Sequence, residues 1–260
     1  MSRIASAFAK GKAFIPFITC GDPDIKTTAA CVREAVRNGA DLIELGIPFS
    51  DPTAEGPVIQ GANIRALSGG IKTKDVFELV KDLRKDVTIP LVFMTYANVV
   101  FSYGSEKFIR TCSEIGIDGL IIPDIPYEEK EEFLPFCEKY DVDLISMVAP
   151  TSEERVAMIA KEAKGFIYIV SSLGVTGMRS SFSSDLSAVV AKIREVTDVP
   201  CAIGFGISNP EQAGKMASVA DGVIVGSAVV KILEEKGVDA PVCIGAFVKE
   251  MKDACMEVKG

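Results

Sequence analysis

Two carboxylates, Glu44 and Glu55, stand eleven residues apart in the stretch Leu-Ile-Glu-Leu-Gly-Ile-Pro-Phe-Ser-Asp-Pro-Thr-Ala-Glu-Gly-Pro. Glu44 interrupts a short apolar run that stops at Gly46 and Pro48, the pattern of a buried strand running into a loop. A charge near the end of a buried strand is costly unless it is paired or used. Glu55 follows Pro52 and precedes Gly56-Pro57, a pattern that opens a helix. On a strand end and its loop, the two form a candidate acid/base pair around a substrate. The competing reading is structural: Glu44 holding a backbone amide and Glu55 in solvent, since perturbed acids also occur in structural networks.

What else is absent narrows the chemistry. The 260 residues contain no histidine, which excludes Ser-His-Asp and Cys-His nucleophiles and His-ligated zinc or iron sites. A net charge of −8 argues against a nucleic-acid backbone as partner. The acidic run Glu128-Glu129-Lys130-Glu131-Glu132 reads as a solvated helix face. Seven cysteines, an odd number without C-x-x-C spacing, read as reduced thiols; Cys20 and Cys201 sit among apolar neighbours, which fits the cytoplasm. No apolar run approaches the roughly 18 residues of a membrane span. Near the N-terminus, Arg3, Lys10 and Lys12 occur with no acid before Asp22. Ile4 and Phe8 there make a short amphipathic helix leading into apolar sequence, so this segment is read as part of the fold.

The elements that must position the carboxylates come next. Apolar, β-branched runs at 14–19, 42–45, 91–95, 119–122, 144–148, 166–170, 201–205 and 222–225 read as strands. Helical patterns lie between and after them at 27–38, 75–84, 106–114, 128–140, 153–163, 188–196, 211–217, 228–235 and 242–257. Near-continuous apolar strands are expected of a parallel sheet covered by helices. Eight such units at this length, with no linker or composition shift, predict one α/β domain over residues 1–260, a (β/α)8 TIM barrel with an extra N-terminal helix. An open doubly wound sheet is the alternative, although it usually has fewer strands at this length.

In such a barrel the chemistry belongs at the C-terminal strand ends. Glu44 is the strand-end carboxylate most deeply set in apolar sequence; Asp124, after Pro123, fits a loop better. Phe17, Tyr96, Tyr168 and Phe205 also fall at strand ends, where together they suit a flat apolar pocket, though each alone fits ordinary core filling. Glycine-bearing turns follow the last two strands, at Gly204-Phe205-Gly206 and Gly226-Ser227. The second opens a short helix after strand 8 whose free N–H groups suit a phosphate. A glycine- and serine-rich loop after strand 6, containing Gly174-Val175-Thr176-Gly177, is a candidate lid. Neither a complete dinucleotide fingerprint nor a Walker sequence is present, so the anion expected is a substrate phosphate.

Leu-Ile-Glu-Leu-Gly-Ile-Pro-Phe-Ser-Asp-Pro, Phe-Met-Thr-Tyr-Ala-Asn, Gly-Val-Thr-Gly and Gly-Phe-Gly-Ile-Ser closely resemble motifs of the tryptophan synthase α-subunit family, in order and over essentially the whole chain. The resemblance implies cleavage of indole-3-glycerol phosphate to indole and glyceraldehyde 3-phosphate. It also implies a β-subunit partner in an α2β2 heterotetramer, with pyridoxal phosphate carried by that partner and no cofactor in this chain. Carried over by position, Glu44 and Glu55 match the catalytic carboxylates. Phe17, Tyr96, Tyr168 and Phe205 match the indole pocket; Gly177, Gly206, Gly226 and Ser227 match the phosphate site; and Thr176 matches a lid threonine. One position departs: the family pattern has aspartate where Glu55 stands. Glutamate keeps the charge but adds a methylene, and catalytic geometry is sensitive to shifts of about 1 Å.

The implied reaction breaks a carbon–carbon bond and needs an electron sink. No predicted strand end carries a lysine for a Schiff base, and no histidine is available to hold a metal. An indole ring protonated at C3 supplies the sink itself, with Glu44 as the acid/base and Glu55 meeting the charge at the ring N–H. Burial raises a carboxyl pKa, as a proton donor near neutrality requires. Two other readings remain open from the sequence: a chain that mainly regulates the β-subunit with weak lyase activity, and another phosphate-binding barrel such as a phosphosugar isomerase. The last leaves the Glu44-to-Glu55 stretch unexplained, because fold and phosphate site alone underdetermine function.

Overall fold

The chain alternates short, mostly buried strands with helices. In this computed structural model, which describes residues 3–150, 152–170, 182–204 and 206–258, the strands are β1 (Ala13–Thr19), β2 (Ile43–Gly46), β3 (Leu91–Met94), β4 (Gly119–Ile121), β5 (Asp143–Leu144), β6 (Ser146–Val148), β7 (Ile167–Val170), β8 (Cys201–Gly204) and β9 (Gly222–Val225). All paired neighbours are parallel, in the order β5-β4-β3-β2-β1-β9-β8-β7-β6. The two outermost strands of that order, β5 and β6, are separated only by Ile145. Its N–H donates to Leu120 O at 2.8 Å. The predicted strand 144–148 is therefore one barrel stave in two pieces. Its lower part pairs with β4 and its upper part with β7, and neither ladder spans the whole segment. The eight-stave barrel is nearly closed, and the open doubly wound alternative is set aside.

Side chains alternate between two apolar layers, as strands require. Ile15, Leu42, Val92, Ile121, Ile145, Phe166, Ala202 and Ile224 fill the barrel interior. Phe14, Ile43, Phe93, Leu120, Ile167, Cys201 and Val223 face the surrounding helices. The extra N-terminal helix, Arg3–Phe8, closes the bottom of the barrel. Ile4 is fully buried, and its Cδ1 lies 3.2 Å from where a Cβ on Gly119 or Gly165 would stand. Arg3 pairs with Asp118 at 2.5 Å, and Asp118 also holds Arg84 at 2.7 Å. The segment with Arg3, Ile4 and Phe8 is integral to the fold.

Other predicted elements shift for local reasons. The helix expected at 128–140 is a 3-10 turn, Tyr127–Glu132, followed by a separate helix, Leu134–Lys139. Pro135 has no N–H to continue a helix begun upstream, and it sits instead in the first turn of the second one. The four acids of the run are exposed, and Glu128 binds Arg155; the half-buried Lys130 binds Glu162 while lying 4.1 Å from the Tyr127 ring. The strand expected at 91–95 ends at Met94, and Ala97–Tyr103 is helical. Cys20 and Cys201 are buried free thiols. Among the described residues, no helix is long and apolar enough to cross a membrane. Ile4→Ala is expected to destabilise the chain by about 2–5 kcal/mol, read as a lowered midpoint of urea unfolding with the slope unchanged.

Candidate active site at the C-terminal barrel mouth

Parallel register sets Phe17, Glu44 and Val92 side by side on β1, β2 and β3. Phe17 and Val92 belong to the interior layer, so pleating points Glu44 into the barrel as well. The carboxyl is 1% exposed. Its Oε2 has no hydrogen-bond partner among the described residues, and the same is true of the Thr19 and Thr95 hydroxyls. All three belong to the C-terminal ends of the first three strands. Leaving such groups unpaired costs about 1–3 kcal/mol each, which a fold retains chiefly at functional sites. Burial, and secondarily the charge of Glu55, push the Glu44 carboxyl up to about 8. At neutral pH it therefore holds its proton.

Glu55 sits half-buried in the loop before the helix Pro57–Ser68, which starts where Gly56-Pro57 predicts. Burial raises its carboxyl above the ordinary range, while Asn63 and the Tyr96 hydroxyl pull the other way. Asn63 donates from Nδ2 to Glu55 Oε2 at 2.6 Å. The Tyr96 hydroxyl accepts from the Ala54 N–H at 3.1 Å, and its ring stacks on Phe49 with centroids 5.1 Å apart. Tyr96 thus holds the loop that carries Glu55 at two points. Asp124 takes no part in this pair: it lies in a turn and accepts from the Ala97 N–H at 3.0 Å.

Two aromatic side chains reach the site because glycine lies beneath them. A Cβ on Gly46 would stand 2.5 Å from Phe17 Cζ, and one on Gly204 would stand 2.5 Å from the Tyr168 hydroxyl. Tyr168 is buried, and its hydroxyl is held far above its usual pKa by burial and then by Glu44, which puts the two within electrostatic reach. On the far side of Phe17, Gly226 caps the helix Ser227–Lys236. A Cβ there would lie 3.4 Å from Ile59 and 3.6 Å from Phe17 Cβ. That helix carries no acid in its first turn. Gly206 takes a left-handed φ of 74°, as the turn after β8 needs.

The structure therefore brings Glu44, Glu55, Phe17, Tyr96, Tyr168, Gly206, Gly226 and Ser227 to one end of the barrel. Phe205, Thr176 and Gly177, with the loop 174–179, lie outside the described residues. Sequence reasoning missed Asn63 and Phe49. The signal for Asn63 was an amide between Ala62 and Ile64 in the helix that follows the second carboxylate; Phe49 had no signal beyond its place in the loop. A cavity of about 610 Å³ opens at the opposite end, against Phe8, Lys12, Arg194, Asp221 and Met256, and includes neither carboxylate.

Residues 5–256 match the family model described as tryptophan synthase alpha chain. The tryptophan synthase alpha chain of Lacticaseibacillus casei is 50% identical over 98% of this chain and 96% of its own length. This chain belongs to the tryptophan synthase alpha chain family. Among solved structures, tryptophan synthase subunit alpha from Legionella pneumophila superposes with a TM-score of 0.88 at 37% identity, covering 98% of each chain. A chain of Mycobacterium tuberculosis tryptophan synthase gives a TM-score of 0.88 at 34% identity, again with 98% of each chain covered. These place the chain in tryptophan biosynthesis and account for the barrel.

For this family member, the buried Glu44 makes stability depend on pH in a definite direction. A carboxyl that titrates at about 8 when folded and near its ordinary 4.5 when unfolded leaves the folded state binding more protons between those values. Its contribution to stability is fully retained below about pH 4.5 and is lost as pH rises toward 8. Glu44→Gln, which removes the titration, is expected to be more stable than the parent at pH 8, with the advantage shrinking to nothing by pH 4.5. Thermal unfolding of both proteins across that range checks it.

Proposed function

We propose that this chain is a carbon–carbon lyase that cleaves indole-3-glycerol phosphate to indole and glyceraldehyde 3-phosphate. The observation that carries the reading is Glu44, a buried carboxyl raised to about 8 at the C-terminal barrel mouth, close enough to feel the charge of a second raised carboxyl, Glu55. The two have the environments that acid/base division of labour requires. Glu44 enters protonated and gives its proton to indole C3, which turns the ring into an electron sink. The carboxylate left behind takes the proton of the side-chain hydroxyl next to that carbon. The C–C bond breaks, its electron pair returns to the ring, the hydroxyl carbon leaves as an aldehyde, and Glu44 is protonated again. Glu55 meets the charge that develops at the ring N–H.

Phe17, Tyr96, Tyr168 and Phe205 would bracket the indole. The N-terminus of the helix opened by Gly226 and Ser227, with Gly206 and Gly177, would take the phosphate through backbone N–H groups and the helix dipole, and Thr176 would close over the site. We assign this chain a β-subunit partner in an α2β2 assembly. Pyridoxal phosphate is assigned to that partner, and no cofactor to this chain. Seven free cysteines support a cytoplasmic setting.

Cleavage of indole-3-glycerol phosphate by the purified chain, with and without a β-subunit, tests the reading. Slow cleavage that rises on adding the partner is the expected outcome, and its absence in both conditions would overturn the assignment. Glu44→Gln is expected to lower kcat by about 10²- to 10⁴-fold with substrate still bound. In the parent, kcat should fall as pH rises through about 8, where Glu44 loses its proton. If the Glu44→Gln complex keeps full cleavage, Glu44 is not the acid.

A further inference from the structure

We propose that Asn63 is the positioning residue for Glu55, clamping its carboxylate in one place and favouring its charged form. The inference rests on the lyase reading for its catalytic meaning, though not for its geometry. Asn63 is one of few polar side chains buried among the described residues, at 3% exposed, and a buried amide is costly unless its donors are used. One donor is used on Glu55, at 2.6 Å. A carboxylate accepts and the amide oxygen cannot donate, so the orientation of the Asn63 amide is fixed by chemistry.

The clamp is built on a rigid support. Asn63 lies in the second turn of the helix Pro57–Ser68, between Ala62, fully buried in the interior layer, and Arg65. Arg65 grips both oxygens of the buried Asp22, at 2.9 and 2.8 Å. It also reaches Glu234 of the helix opened by Gly226, at 3.1 Å. The anchor of Asn63 is thus tied to the loop after β1 and to the helix Ser227–Lys236. The extra methylene of a glutamate adds a rotatable bond whose freedom is lost on ordering, and a donor fixed in this way selects one rotamer.

The titratable groups that face Glu55 among the described residues are Glu44 from β2 and Tyr96 from the turn after β3. Neither is a cation, so a hydrogen-bond donor is what favours the charged form. A hydrogen bond to a charged group is worth enough to move a pKa by about 1–2 pH units. The two carboxyls thereby differ in degree: burial raises both, but Glu44 Oε2 has no donor among the described residues, while at Glu55 the Asn63 donor offsets part of the rise.

The experiment is a carbon-13 NMR titration of the Glu55 carboxyl in the full chain, for the parent, Asn63→Ala and Asn63→Asp. The midpoint is expected to rise by about 1–2 pH units in Asn63→Ala and further in the near-isosteric Asn63→Asp, where a donor becomes an acceptor. In cleavage assays the acid-side limb of the kcat profile should move up by the same interval. KM should stay within about twofold, because the clamp does not act on substrate binding alone. Thermal unfolding identifies a variant that fails to fold, and either variant alone suffices. An unchanged Glu55 midpoint in a folded variant overturns the proposal. A parent that cleaves nothing with or without a β-subunit overturns the lyase reading instead, and the NMR titration still decides on Asn63.

Discussion

A carboxyl enclosed by apolar side chains is the constraint on which the rest of this structure depends. Glu44 occupies a position in the interior layer that the neighbouring strands fill with Phe17 and Val92. Ionising it there is unfavourable, and the proton stays bound at neutral pH. Water would relieve that constraint, so the surrounding elements must exclude it. Phe17 and Tyr168 do so by lying over Gly46 and Gly204, where any side chain would displace them. The small residues at the strand ends and the aromatic rings beside them form one solution.

The second carboxyl is governed differently. Glu55 rides on a loop, and loops do not by themselves hold a side chain in one place. Three contacts substitute for strand geometry: the Ala54 N–H on the Tyr96 hydroxyl, the Phe49 ring on Tyr96, and Asn63 on the carboxylate. Two of the residues involved, Tyr96 and Asn63, also lower the cost of charge on Glu55. The contacts that fix its position thus also offset part of the burial that raises its carboxyl. The two ends of the barrel separate their tasks in the manner expected of the architecture. The N-terminal helix closes the bottom through Ile4, Arg3 and Asp118, leaving the C-terminal mouth to carry the polar groups.

The amino-acid sequence by itself determined the repeating strand–helix pattern, because parallel strands buried on both faces read as continuous apolar runs. It also determined which strand carries an anomalous charge, since Glu44 is conspicuous in such a run, and where the next helix begins, since Gly56-Pro57 is a local signal. What it left open depended on contacts between distant segments. The stave 143–148 divides at Ile145 because β4 and β7 each claim a different part of it. The helix at 134–139 is separate because Pro135 interrupts what periodicity joins. Asn63 becomes a partner of Glu55 only when a helical turn folds back on the loop before it. Above all, the raised affinity of Glu44 for its proton, whose direction the apolar run around it already implied, takes its size from no local pattern. Desolvation is the sum of every neighbour that displaces water, and only the closed barrel assembles those neighbours around one carboxyl.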